Sequence, residues 1–155
     1  MKIAIGSDHA GFDLKHQIIH FVQEAGHEVI DVGAYKYEPE DDYPDFAEAV
    51  AFSLTSNETT RGIVVCGSGI GASIAANKIP GIRAAICPDT YSAHQGVEHD
   101  DMNVLVIGSR VMGVEVVREV VNAFLKANFS GEERHIRRLN KVLSIEQRYQ
   151  SGEEI

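Results

Sequence analysis

Five short runs rich in Val, Ile, Ala and Leu recur along the chain, at 2–6, 28–32, 62–66, 82–87 and 103–108, and this recurrence narrows the fold most. Most are apolar along their whole length instead of alternating, the pattern of strands covered on both faces in a parallel sheet. Between them lie longer stretches with helical spacing. In 12–25, the residues Leu14, Ile18, Phe21, Val22 and Ala25 share one helical face, and Gly26 ends it. Further helices are expected at 45–55, 70–77, 89–98, 114–126 and 132–147, with 33–44 a polar, acidic loop. Five strands alternating with helices build a three-layer αβα domain of the α/β class. Ligands of such sheets collect beyond the carboxyl ends of the strands. The segments to watch are therefore 7–11, 33–44, 66–71, 87–90 and 108–110.

The 155 residues suit one domain, and no repeat, low-complexity tract or linker divides them. No apolar run reaches the ~18 residues of a membrane span, and the chain is expected to open directly into structure without a signal peptide. Cys66 and Cys87 form no C-x-x-C pair, which suits free thiols in a reducing cytoplasm. The net charge of −9 disfavours nucleic-acid and anionic-membrane partners, since both want a basic surface. That charge is uneven. Residues 1–130 carry 9 basic and 18 acidic side chains, whereas 131–148 carry Arg134, Arg137, Arg138, Lys141 and Arg148 against three glutamates.

Cys66-Gly67-Ser68-Gly69-Ile70-Gly71 is the most informative segment. Its three glycines, between an apolar run and a helix, leave backbone N–H groups open at a positive helix end, which suits a phosphate or a reaction oxyanion. A cysteine facing a helix start is placed where thiols become reactive, although most free cysteines are buried packing residues. Gly67-x-Gly69-x-x-Ala72, with Asp89 further on, also matches a relaxed dinucleotide fingerprint. Against an NAD-binding module, this turn follows the third strand rather than the first, and no room remains for a substrate domain. Gly6–Gly11 has P-loop spacing but lacks the Gly-Lys-Ser/Thr that would make it one.

Asp8 and His9 follow the first strand, either as a helix cap and a surface residue or as neighbours of Cys66 if the first and third strands are adjacent. His94 and His99 are five apart and share no helical face as a metal pair would, so His99 better suits a proton donor or acceptor. Ser130-Gly131-Glu132-Glu133 reads as a capping box opening the last helix. There Ile136, Leu139 and Leu143 form an apolar face opposite Arg134, Arg137, Arg138 and Lys141. Arginine in a first helical turn opposes the helix dipole, and an anion held by Arg134 and Arg138 would relieve it.

Taken together, Gly6-Ser7-Asp8-His9-Ala10-Gly11, Asp42-Tyr43-Pro44, the Cys66–Gly71 turn, Ser73–Lys78, Gly81-Ile82-Arg83-Ala84 and Gly108-Ser109-Arg110 closely resemble the type B ribose-5-phosphate isomerases. That family also contains galactose- and allose-6-phosphate isomerases. The resemblance runs in order from residue 1 to about 149, which implies one isomerase domain over 1–149 and a tail at 150–155. It implies a Rossmann-like five-stranded sheet, a cytoplasmic enzyme of pentose phosphate metabolism, and no metal or other cofactor. The reaction implied is an aldose–ketose isomerisation through a cis-enediolate. In it Cys66 is the base that moves a proton between C2 and C1, while Ser68 and the amides of Gly67, Gly69 and Gly71 hold the enediolate oxygens. His99 is the acid that opens the furanose ring. Asp8 binds sugar hydroxyls, His9, Arg134 and Arg138 lie near the phosphate, Arg110 lines the site, and Tyr43 closes over the substrate.

The resemblance further implies a homodimer, or a dimer of dimers, whose active sites are shared between subunits. Asp100 departs from the family, which commonly has asparagine there, so an amide donor to the sugar becomes a carboxylate acceptor able to shift sugar preference. Arg137 is an additional cation. The alternatives kept open are a hexose 6-phosphate isomerase of allose or galactose type, and a non-catalytic sugar-phosphate or NAD-binding module.

Overall fold

In the computed structural model, which describes residues 1–151, the five apolar runs form one parallel sheet. Its strands are β1 (Lys2–Ser7), β2 (Glu28–Asp31), β3 (Arg61–Cys66), β4 (Ala84–Ile86) and β5 (Val104–Gly108). Their order across the sheet is β2-β1-β3-β5-β4, with every neighbouring pair parallel. The helices are α1 (Phe12–Glu24), α2 (Tyr43–Thr55), α3 (Ile70–Ala76), α4 (Thr90–Asp100), α5 (Val114–Lys126) and α6 (Glu133–Ser151). A single 3-10 turn, His9–Gly11, joins β1 to α1.

Side chains on a strand alternate between faces, and the core divides accordingly. Ile3, Ile5, Ile63, Val65, Leu105 and Ile107 point to the layer holding α1, α4 and α5, packing on Ile18, Val97 and Phe124. Ala4, Val64, Cys66, Val104 and Val106 point the other way, onto Val50 and Ala51 of α2 and Ala72 and Ala76 of α3. The middle strands β1, β3 and β5 are almost wholly buried, which is why they read as continuous apolar runs. From β1 the chain moves outward to β2, and from β3 it crosses to β4 and β5 on the opposite side. The loops leaving β1 and β3 therefore part at their carboxyl ends and open a crevice between them.

Several boundaries shift by a residue or two, and four differences stand out. Helix α2 starts at Tyr43, with Pro44 inside its first turn, because proline lacks only an N–H that has no helical partner there. Strand β4 is three residues long, since Arg83 is diverted: its N–H donates to the Asn103 side chain at 2.8 Å and its guanidinium to Asp101. The capping box does not form as expected. Ser130 Oγ meets His135 Nδ1 at 2.6 Å and accepts the Glu132 N–H at 3.3 Å, and α6 starts at Glu133. Helix α6 then runs to Ser151, past the expected helix end at 147, while 152–155 of the expected tail lie outside the described residues.

Helix α6 packs on α4 and buries only His135; Ile136, Val142, Leu143 and Ile145 remain exposed. Among the described residues, no helix is long and apolar enough to cross a membrane.

Candidate active site

The crevice at the carboxyl ends of β1 and β3 holds a cleft of about 370 Å³, lined by Asp8, His9, Ala10, Tyr43, Cys66, Gly67, Ser68, Gly71, Arg110 and Val111. Pairing of β1 with β3 sets Ser7 opposite Val65, and the Asp8 N–H donates to the Val65 carbonyl at 3.3 Å. That register brings Asp8 and His9 beside Cys66. The turn after β5 completes the rim. Ser109 Oγ donates to the Ala10 carbonyl at 2.6 Å and the Arg110 N–H to the Gly67 carbonyl at 2.9 Å.

Cys66 ends β3 with its side chain 4% exposed, and the Gly69 N–H donates to its sulfur at 3.1 Å. A backbone dipole thus points its positive end at Sγ. Gly69 makes this contact in the left-handed region, at φ 88°, where a side chain would be strained. Gly71 has a different reason to lack a side chain: an added Cβ would lie 2.6 Å from the Tyr43 ring, which leans directly over the turn. Ser68 Oγ accepts the Ile70 N–H at 3.3 Å, leaving its O–H able to donate elsewhere. Cys87 contrasts with Cys66. Its burial, with the Asp89 charge adding to it, pushes the thiol up to about 11, and its sulfur sits against Met102 in the core.

Asp8 is 6% exposed and accepts the Gly11 N–H at 3.0 Å; burial raises its pKa, and that hydrogen bond opposes the rise. His9 contacts a residue that the sequence did not single out. Asp41 Oδ1 lies 2.7 Å from His9 Nδ1 and also accepts the His9 backbone N–H at 2.9 Å. The hydrogen bond to Asp41 is the main reason the His9 pKa is raised. Lys15 was missed as well. Its side chain is wholly buried on the apolar face of α1, yet Nζ donates to Asp31 Oδ1 at 2.7 Å, Asp31 Oδ2 at 3.0 Å and the Ala34 carbonyl at 2.6 Å. This pins the start of the loop that carries Asp41 and leads to Tyr43.

His99, Asp100, Arg134 and Arg138 lie elsewhere. Strand β5 runs from Val104, opposite Gly62, to Gly108, opposite Cys66, which spans roughly 13 Å at the usual rise per residue. His99 and Asp100 sit at the end of α4, before that strand begins, and so at the amino edge of the sheet. There the His99 ring stacks on His135 with centroids 4.0 Å apart, and Gln95 Nε2 meets His99 Nδ1 at 2.8 Å. His135 is 1% exposed; burial lowers its pKa, and His99, Arg134 and Arg138 lower it further. Arg134 Nε pairs with Glu132 at 2.9 Å, and Arg138 is exposed. The expected site residues thus form two clusters at opposite ends of β5. No signal along the chain shows this separation, because it depends on the direction of α4 and β5.

A larger groove of about 730 Å³ runs between α6 and the starts of β4 and β5, bordered by Ile82, Met102, Leu139, Val142 and Ile145. Its walls are mainly apolar and hold no cysteine, serine or histidine, whereas the smaller cleft brings a thiol, a hydroxyl and an imidazole together. Among the described residues, no three His, Cys, Asp or Glu side chains stand together as a metal-holding group.

Known proteins share this fold. The sequence profile of the Ribose/Galactose Isomerase family matches residues 3–142. Ribose-5-phosphate isomerase B of Escherichia coli (strain K12) is 48% identical over 147 residues, covering 95% of this chain and 97% of the relative. The structure of ribose-5-phosphate isomerase B from Clostridium thermocellum superposes with a TM-score of 0.92 at 50% identity, covering 96% of this chain and 99% of that one. A Mycoplasma genitalium ribose-5-phosphate isomerase B, solved with bound ribulose-5-phosphate, gives 0.89 at 39% identity, covering 94% and 96%. With its parallel five-stranded sheet, its glycine turn behind Cys66 and this likeness over nearly its full length, the chain belongs to the ribose/galactose isomerase family.

Proposed function

We propose that the chain is an aldose–ketose isomerase that interconverts ribose 5-phosphate and ribulose 5-phosphate. One observation carries this reading: a cysteine sulfur with an amide N–H directed at it, at the edge of a cleft that also holds a carboxylate, an imidazole and a guanidinium. In the open-chain aldose, Cys66 takes the C2 proton as thiolate and the electron pair forms the C1–C2 double bond of an enediolate. The amides of the Gly67–Gly71 turn and Ser68 stabilise the oxygen that gains charge. Cys66 returns the proton to C1, while the O2 proton moves to O1, giving the ketose. Atoms and charge balance with no hydride acceptor. Asp8 binds hydroxyls, Tyr43 covers the sugar, and His9 and Arg110 face the phosphate end. The proposed setting is the cytoplasm, in keeping with two free cysteines.

The same reading assigns His99 to ring opening and Arg134 and Arg138 to the phosphate, supplied by a second copy of the chain. A site shared across a two-fold axis accounts for catalytic parts at opposite ends of one sheet. It also accounts for the large exposed apolar side chains near both clusters, Ile70, Ile74 and Val111 by the cleft and Ile136 and Leu143 on α6. Turnover of ribose 5-phosphate, followed by ketose formation beside six-carbon 6-phosphates and in the presence of EDTA, tests the reading. The expected result is pentose turnover unaffected by EDTA and a loss of about 10²–10⁴-fold in kcat for Cys66→Ala. Near-full activity in Cys66→Ala, or turnover restricted to hexose phosphates, would overturn it.

A further inference from the structure

We propose that Asp41 is a positioning residue for His9, holding its imidazole in one orientation with Nδ1 as a donor and keeping the ring cationic, so that Nε2–H is presented to the phosphate end of the substrate. The inference rests on the isomerase reading for the identity of the phosphate, but its structural basis is independent of that reading. A single carboxylate oxygen, Asp41 Oδ1, engages both the His9 ring nitrogen at 2.7 Å and the His9 backbone N–H at 2.9 Å. Held at two points by one atom, the ring has little freedom about its side-chain torsions. Its other nitrogen makes no hydrogen bond among the described residues, and His9 lines the cleft. The Tyr37 ring meets the imidazole edge-on at 6.4 Å and backs it from the side of the 33–44 loop.

Charge explains why a carboxylate is tolerated here. Asp41 is 12% exposed, and its Oδ2 is buried without a hydrogen-bond partner. A carboxylate so placed needs a cation against it. The groups facing His9 are Asp8 on its own loop, Asp41 and Tyr37 on the loop after β2, and Arg110 on the turn after β5. The two carboxylates favour the charged ring and Arg110 disfavours it, with Asp41 dominant. A neutral imidazole donating Nδ1–H to Asp41 would offer only a lone pair at Nε2, which repels phosphate; the imidazolium offers a charged donor.

The sign of the pH effect follows. A histidine whose pKa is raised keeps its charge as pH rises past the ordinary 6.5, and loses it only above its own higher value. Asp41→Asn should therefore raise KM for ribose 5-phosphate by about fivefold in the pH interval between the ordinary histidine value and the raised one, the difference between a charged and a neutral hydrogen bond. Below about pH 5.5 both proteins carry the imidazolium, and the KM ratio should fall toward one. The change should appear in KM, not kcat, and should vanish in a His9→Gln background.

The deciding experiment combines this KM profile with an NMR titration of His9 in the full-length protein, its signal assigned by loss in His9→Gln. The titration is run with and without inorganic phosphate. The expected result is a His9 midpoint above the ordinary value that drops in Asp41→Asn, together with weaker phosphate binding in the same pH interval. An unchanged His9 midpoint, or a KM rise equal at low and high pH, overturns the inference. Failure of the isomerase reading looks different: no turnover of ribose 5-phosphate, with the His9 midpoint still dependent on Asp41.

Discussion

Lys15→Met should unseat the loop that sets Asp41 against His9 and leads to Tyr43 at the cleft. The ammonium is fully buried and has three oxygen partners, two on Asp31 and one on the Ala34 backbone. Methionine fills similar volume, so the cost is chiefly electrostatic. Removing one partner of a buried ion pair costs about 3–5 kcal/mol, most of it from the charge left behind. Asp31 is 33% exposed and keeps the Gly33 N–H at 3.0 Å, so water and that donor offset part of the loss and place the expectation near the lower end. The Ala34 carbonyl, left unpaired, adds about 1 kcal/mol. The sum is about 3–4 kcal/mol, or roughly 6–16 °C in Tm for a chain of this size. Urea unfolding at fixed protein concentration measures it, because the proposed subunit association would shift apparent stability. The double variant Lys15→Met/Asp31→Asn should regain about 1 kcal/mol, since no carboxylate is then stranded. KM should rise in parallel as the loop carrying Asp41 and leading to Tyr43 loosens. A loss below about 1 kcal/mol, or full additivity with Asp31→Asn, would refute this account of the loop.

Gly69→Ala forces a side chain onto a left-handed backbone at φ 88°, which costs about 1–2 kcal/mol and withdraws the N–H donated to Cys66. The expected outcome is a kcat reduced by at least about tenfold with secondary structure retained by circular dichroism; unchanged kcat would show that this amide does not serve the sulfur. His135 gives a stability test. Burial lowers its pKa, so the folded state resists a proton that the unfolded chain accepts below the ordinary 6.5, and stability should fall as pH drops through that value. His135→Gln should flatten this decline in the urea midpoint between about pH 7.5 and 5.5; an identical decline would place its origin elsewhere.

The sheet was legible because β1, β3 and β5 are buried on both faces, and burial leaves a continuous apolar run that no loop would carry. Helix α1 was legible for the same reason, with Leu14, Ile18 and Val22 buried as their spacing required. Lys15 escaped notice because a lysine beside an apolar stripe ordinarily marks solvent, and only the fold brings Asp31 and Ala34 to it. Asp41 was one of several acidic residues in a loop, and its contact with His9 spans 32 positions. The capping box failed because Ser130 has a stronger claim on it from His135, a residue buried by stacking on His99. Cys66, Asp8 and His9 drew attention because their motifs follow strand ends, Tyr43 and Arg110 because of the family resemblance, and all five line one cleft. What the motifs did not carry was distance. His99 and Cys66 belong to one constellation in the sequence and to opposite sheet edges in a single chain.

That separation makes the central claim directly measurable. In the proposed dimer, mixing Cys66→Ala with His99→Asn, each expected to be inactive alone, and allowing subunits to exchange would yield mixed dimers in which one of two sites has both groups intact. With random pairing, half the dimers are mixed and each holds one complete site, so about one quarter of wild-type turnover should return. Recovery near that level means that Cys66 of one copy works with His99 of another. If no activity returns although mixed dimers are shown to form, the two clusters do not build one active site.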